Sequence, residues 1–277
     1  MFPKEQGYFF PAEWHPHLAT WITFPHNDHS WQEEKLGQMY PEYFALIKAI
    51  SEGEQVRINV NSAELKAFVE SQLPVYGIDP TKIEYNIQLT NDAWCRDHGP
   101  AFLVKEGSTE RLVVNWEYNA WGGKYPPFSD DNALPATIAT RLTLPSVSPG
   151  IIMEGGSVDF NGAGTVLTSR SCLLNPNRNP HLTQEEIETY LKNYYGVSQV
   201  LWVSDGIVGD DTDGHIDDTV RFVNVTRTPY RAASVPLPVP RLTWQSPTRR
   251  FISWRWGRPA RQRHCPTAVK ATGWKCG

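Results

Sequence analysis

The sequence predicts an α/β fold of repeated strand–helix modules. Three observations carry that reading. Two strand–helix–strand units follow the same order of signals, each runs into an acidic segment containing glycine, and both patterns stop after Asn224. The first unit opens with Val56-Arg57-Ile58-Asn59-Val60, an alternating run rich in β-branched residues. Ser62 then stands as the N-cap of a helix with Leu65, Phe68, Val69 and Leu73 at helical spacing, and Ile83-Glu84-Tyr85-Asn86-Ile87-Gln88-Leu89 follows as a second strand. In the second unit Gly164-Thr165-Val166-Leu167-Thr168 is the strand, and Thr183 with Glu186 forms a capping box before a helix. Ile187, Tyr190, Leu191, Tyr194 and Tyr195 share one face of that helix, Gly196 stops it, and Gln199-Val200-Leu201-Trp202-Val203 is the closing strand. Modules that deliver polar loops to a shared centre explain the recurrence; a single open parallel sheet is the simpler alternative.

Composition bounds the class. The chain has 277 residues, 40% of them hydrophobic, and a mean hydropathy of −0.44, with no apolar run long enough to cross a bilayer. Met1-Phe2-Pro3-Lys4-Glu5-Gln6 lacks the basic start and apolar core of a secretory signal, so a cytoplasmic protein is expected. Cys95, Cys172, Cys265 and Cys276 show no CxxC or other metal spacing, and a disulfide framework is not expected. The sequon Asn224-Val225-Thr226 says nothing without a glycosylating compartment.

The net charge of −4 hides a division at residue 224. All 30 acidic residues lie in 1–224, whereas 225–277 carries nine arginines, two lysines and no acid. Seven prolines and the isolated Trp244, Trp254, Trp256 and Trp274 interrupt that tail, and no period is sustained. Residues 1–224 are therefore expected to form the domain. The tail reads as a stretch never selected to fold, with a shift of reading frame near residue 225 as the preferred cause and a basic nucleic-acid arm as the rival. No recognised nucleic-acid module accompanies it, so neither nucleic acid nor membrane is expected as a partner.

Three segments hold the chemistry. Asp210-Asp211-Thr212-Asp213-Gly214-His215-Ile216-Asp217-Asp218 packs five carboxylates and a histidine into nine residues. Read as a strand, it turns His215 and Asp217 to one face and Asp218 to the other. As a calcium loop it fails: with Gly214 at the sixth position, Gly209 and Val220 occupy the first and twelfth, and neither is a side-chain ligand. A single histidine also disfavours a transition-metal site, so no metal and no cofactor is expected. Gly206, Gly209 and Gly214 suggest close backbone approach or positive φ. Asp97, in Trp94-Cys95-Arg96-Asp97-His98-Gly99-Pro100, and Glu154, in Met153-Glu154-Gly155-Gly156-Ser157, complete a set of Asp, Glu, His and Asp. Such a set suits a planar cation, because each carboxylate can take a bidentate pair of N–H donors from a guanidinium.

On these residues the chain resembles the agmatine deiminases and the related bacterial peptidylarginine deiminases. The resemblance rests on Asn91 to Asp97, Asn119 to Tyr125, Met153 to Ser157, Cys172 to Leu182 and Gly209 to Asp217, in order along residues 7–224. It implies the pentein fold, an α/β propeller of strand–helix modules around a central site, here incomplete at the C-terminus. It also implies the reaction: a cysteine thiolate attacks the guanidinium carbon, ammonia leaves, and water hydrolyses the S-alkylthiouronium intermediate. By similarity Asp97 and Asp217 grip the guanidinium, His215 shuttles protons, Glu154 orients His215, and Asp211 helps hold the substrate. Trp94 and Trp121 would wall the alkyl chain or the guanidinium face, or else serve as core aromatics. Agmatine is expected over peptidyl-arginine because an acidic body suits a dication, and a homo-oligomer is left open.

The chain departs from the family at one point. The family's nucleophile follows a glycine-rich segment near the end of a longer chain, and residues 225–277 contain no such segment. Arg261-Gln262-Arg263-His264-Cys265-Pro266 has His-Cys without the preceding glycines, so Cys265 is not expected to replace it. A catalytically silent fragment that binds guanidinium compounds is the alternative.

Overall fold

The computed structural model describes residues 1–30 and 33–226. Its elements in chain order are β1 (Tyr8–Phe9), β2 (Ala19–Thr23), α1 (Glu33–Ser51), β3 (Gln55–Val60), α2 (Ala63–Gln72), β4 (Ile83–Ile87) and the single turn α3 (Cys95–His98). Next come β5 (Ala101–Lys105), β6 (Arg111–Val114), the distorted turn α4 (Ala120–Gly123), α5 (Ser129–Arg141) and β7 (Ser146–Val147). The last are β8 (Val158–Phe160), β9 (Thr165–Ser169), α6 (Arg170–Leu173), α7 (Gln184–Tyr194) and β10 (Gln199–Val203).

Both expected units are present. Ser62 caps α2 by accepting from the backbone N–H of Leu65, and β3 and β4 on either side of that helix pair in parallel. Thr183 and Glu186 form the reciprocal capping box of α7, Gly196 takes a φ of +71°, and β9 pairs in parallel with β10. A third unit, β6–α5–β7, also closes with a parallel pair. The open parallel sheet is overturned, because the strands divide into three sheets in the orders β2-β3-β4, β1-β5-β6-β7 and β10-β9-β8.

Each sheet buries one side under its helices. Ile22, Val56, Ile58 and Val60 pack against Phe44, Ile47 and Val69 of α1 and α2. Leu103, Leu112, Val158 and Val166 share a larger core with Ile187 and Leu191 of α7. Each such side chain contributes roughly 1.5–3 kcal/mol on burial. On the sheet face opposite those helices, the C-terminal end of the first sheet buries polar residues. In register across three strands, Asn86 donates to Asn59 at 2.9 Å and Asn59 donates to Thr23 at 3.1 Å, all three buried. Open α/β sheets present ligand loops at their strand C-termini. Here the loops after β4, β6 and β10 carry Asp97, Trp121 and His215, and the antiparallel pairing of β8 with β9 brings Glu154 to the same end.

Of residues 225–277, the structure describes Val225 and Thr226, where the carbonyl of Val225 accepts from Nδ2 of Asn161. The remainder of the expected tail, with its arginines and Cys265, lies outside the described residues.

Candidate active site

Asp97, Glu154, His215 and Asp217 come together beside one cavity of about 730 Å³. Asp97 sits in α3, 9% exposed, and is held from two sides: its Oδ1 accepts from the backbone N–H of Gly156 at 2.9 Å, and its Oδ2 accepts from Nε1 of Trp121 at 3.2 Å. His215 is 3% exposed. Its Nδ1 lies 3.6 Å from Oδ1 of Asp97, and its Nε2 lies 3.6 Å from Oε2 of the fully buried Glu154. The backbone N–H of Asp217 donates to the carbonyl of Gly156 at 3.3 Å, and its carboxylate lies 3.5 Å from Nε of Arg96.

The segment 210–220 is a run of turns and not the expected strand. Period-two alternation therefore does not govern it, and Asp218 lines the cavity together with His215 and Asp217. The glycine reading of the same segment holds. Gly209 and Gly214 have φ of +83° and +99°, and a Cβ on Gly206 would fall 2.1 Å from Cα of Gly214.

Burial and charge set the protonation of the group. Burial lifts the Asp97 carboxyl to about 6, with Glu154 and Asp217 adding to the rise and His215 opposing it. For Glu154, burial alone raises the carboxyl, but His215 and Arg178 outweigh it and hold Glu154 below the usual range. Burial opposes the charged form of His215, yet Glu154, Asp97 and Asp217 together raise its pKa. The arrangement is an imidazole kept ready to carry a proton between two carboxylates.

The other expected residues lie at the wall and rim. Trp121 is buried, Trp94 is 43% exposed, and their rings meet edge to face with centroids 6.2 Å apart. Trp121 has a φ of +55°, rare for a bulky residue, and this left-handed turn aims its indole N–H at Asp97. Asp211 is exposed at the rim and accepts from the Tyr125 hydroxyl at 2.8 Å. Six aspartates line the cavity, against Arg96 and Lys124 as its basic residues.

Sequence reasoning gave Arg178 no role. Its guanidinium is fully buried and links the site: Nε donates to Glu154 at 2.7 Å, Nη1 to Asp213 at 2.5 Å and Nη2 to the carbonyl of Thr212 at 3.0 Å. One side chain thus ties Glu154 to the loop that carries Asp211 and His215. Asp131 was also missed. It accepts from the backbone N–H groups of Asn91 and Asp92, while Asn91 accepts from those of Asp130 and Asp131, fastening the loop before Asp97 to the start of α5. The paired acids at 130–131 opening a helix were the available signal.

Of the cysteines among the described residues, Cys95 donates to the carbonyl of Trp21 at 3.4 Å and Cys172 points its thiol at Glu154 at 3.6 Å. Burial pushes Cys95 up to about 11 and Cys172 well above its ordinary value. Neither is an activated thiolate. Among these residues no helix is long and apolar enough to cross a membrane.

The family model of Porphyromonas-type peptidyl-arginine deiminases matches residues 9–234. The chain belongs to this family. It is 38% identical over 228 residues to the agmatine deiminase of Pseudomonas savastanoi pv. phaseolicola and 37% identical over 228 residues to that of Pseudomonas syringae pv. syringae, covering 80% of this chain and 59% of each relative. Among solved structures, an agmatine deiminase of Enterococcus faecalis is similar with a TM-score of 0.71 at 32% identity, over 80% of this chain and 60% of that one. A C. jejuni agmatine deiminase with a cysteine-to-serine substitution and substrate bound has a TM-score of 0.70 at 31% identity, over 81% and 65%. The family members share the pentein α/β fold, and the chain has that fold. It spans about three fifths of the length of the curated relatives it matches.

Proposed function

We propose that the chain carries the guanidinium-binding and proton-transfer residues of an agmatine deiminase site, which converts agmatine and water to N-carbamoylputrescine and ammonia. The observation that carries this reading is the convergence of Asp97, Glu154 and His215, with Asp217 beside them. In this reading Asp97 and Asp217 pair with the guanidinium nitrogens, which fixes the carbon for attack and keeps the cation charged. A thiolate forms a C–S bond to that carbon; His215 gives a proton to the departing ammonia. His215 then takes a proton from the attacking water as the C–S bond breaks, and Glu154 holds the imidazole in place throughout. Agmatine is preferred because the aspartates of the cavity, Asp211 at the rim among them, suit its second cation. Domain limits of 1–224 belong to the same proposal.

Cys95 and Cys172, both held as thiols, favour a second reading of the chain as it stands: it binds guanidinium compounds and does not turn them over. One experiment separates the two readings. The chain alone, and a chimera completed with the C-terminal part of the P. savastanoi relative, are assayed for ammonia release from agmatine, free arginine and a peptide ending in arginine. Release by the chimera from agmatine is expected, and a chimera silent on all three substrates removes the deiminase reading.

A further inference from the structure

Glu154, Cys172 and His215 belong to three separate segments, and one donor atom of each lies within 4.8 Å of the other two. Sγ of Cys172 and Nε2 of His215 each stand 3.6 Å from the same oxygen, Oε2 of Glu154. For imidazole and carboxylate this is too long for a hydrogen bond. Nε2 of His215 is buried and has no hydrogen-bond partner, a costly state for a polar atom. The spacing matches something else. Around a tetrahedral ion with bonds of about 2.0–2.3 Å to nitrogen, oxygen and sulfur, neighbouring donors are roughly 3.3–3.6 Å apart.

We propose that Cys172, Glu154 and His215 form a binding site for a soft divalent ion of the Zn²⁺ class. A thiolate, an imidazole and a carboxylate are the donor types such an ion selects. Their supports leave the needed atoms available: Arg178 engages Oε1 of Glu154 and not Oε2, and Asp97 stands at Nδ1 of His215 and not at Nε2. Carboxylates and cations placed in this way orient ligands in metal centres. Charge balances as well. The ion exchanges bound water for bonds to Sγ, Oε2 and Nε2, the Cys172 thiol proton passes to solvent, and the two positive charges meet the Glu154 carboxylate and the Cys172 thiolate. His215 borders the cavity, which gives the ion an entrance. Positions 154, 172 and 215 have no metal spacing in sequence, so only the fold brings them together.

One consequence rests on the proposed function: an ion bound at Nε2 removes His215 from proton transfer, so metal and deimination exclude each other.

Binding is tested on the full chain in a Cys265→Ser/Cys276→Ser background, which leaves Cys95 and Cys172 as the only thiols. Co²⁺ is added and the sulfur-to-cobalt charge-transfer absorption is followed, with Zn²⁺ as competitor. The expected result is a band that saturates at one equivalent, disappears with Zn²⁺, survives Cys95→Ser, and is lost in both Cys172→Ser and Cys172→Ala. In His215→Gln the affinity should fall at least tenfold, with circular dichroism reporting that each variant remains folded. No band in the parent, or a band that persists without Cys172, overturns the proposal. Should the Cys172 variants fail to fold, an unchanged affinity in His215→Gln overturns it on its own. Agmatine binding, measured on the same proteins without metal, reads the guanidinium site separately, so its absence would remove the function reading and leave the metal result standing.

Discussion

A Cβ on Gly156 would fall 2.4 Å from Nδ1 of His215 and 2.6 Å from Oδ1 of Asp97, so the histidine and aspartate meet only because residue 156 has no side chain. Real Cβ contacts are not that short, so a side chain at residue 156 would have to displace both groups from their present positions. Gly156→Ala is expected to part His215 from Asp97 and to weaken agmatine binding at least tenfold while the fold persists. Calorimetric titration against wild type checks this, and unchanged affinity contradicts it.

Arg178 and Glu154 form a fully buried ion pair. Removing one partner of such a pair strands the other charge, at a cost of about 3–5 kcal/mol. Arg178→Met is expected to lower the melting temperature by roughly 6–20 °C, taking about 2–4 °C per kcal/mol for a domain of this size. Adding Glu154→Gln should restore part of that loss. A double-mutant cycle with no coupling would show that the two residues do not act as a pair.

Much of the architecture was legible because its signals are local. Ser62 and the Thr183–Glu186 box cap helices through bonds to residues three positions away, and Gly196 meets a left-handed requirement at one residue. Such bonds survive in any tertiary setting. The site was legible as a set of residue types and not as a geometry. Arg178 reaches Glu154 and Asp213 at separations of 24 and 35 residues, and an Asn-Arg-Asn-Pro turn carries no mark of a buried guanidinium. Strand alternation failed at His215 to Asp218 because positive φ at Asp213 and Gly214 breaks the extended backbone that alternation assumes.

The sequence leaves Trp121 as either a wall for the ligand or a core aromatic; the residue is buried and its indole N–H donates to Asp97. A hydrogen bond to a charged group contributes about 1.5–3 kcal/mol. Trp121→Phe keeps an aromatic surface and loses the donor, so agmatine affinity should fall by roughly tenfold or more. An affinity equal to wild type would return Trp121 to the role of a wall.

Asp131 makes stability depend on pH. Burial lifts its carboxyl from 3.8 to about 7, with Asp92 and Asp130 adding to the rise and the backbone N–H groups of Asn91 and Asp92 opposing it. The facing His98, depressed to about 3 by burial, stays neutral over the same range. An acid whose folded pKa is raised contributes stability that is complete below its unfolded value and is lost as pH rises through the folded one, here between 3.8 and about 7. Asp131→Asn imitates the protonated form at every pH. Its melting temperature relative to wild type should therefore increase from about pH 4.5 to about pH 8, and a flat or falling difference contradicts the assignment.

The central claim is that Asp97 and Asp217 hold a guanidinium beside His215. Calorimetric titration of agmatine into the unmodified chain, Asp97→Asn and Asp217→Asn tests it without depending on turnover. The account predicts saturable binding at one site in the unmodified chain and a loss of at least tenfold in each variant. Agmatine that fails to bind the folded chain, or binds all three proteins equally, would contradict it.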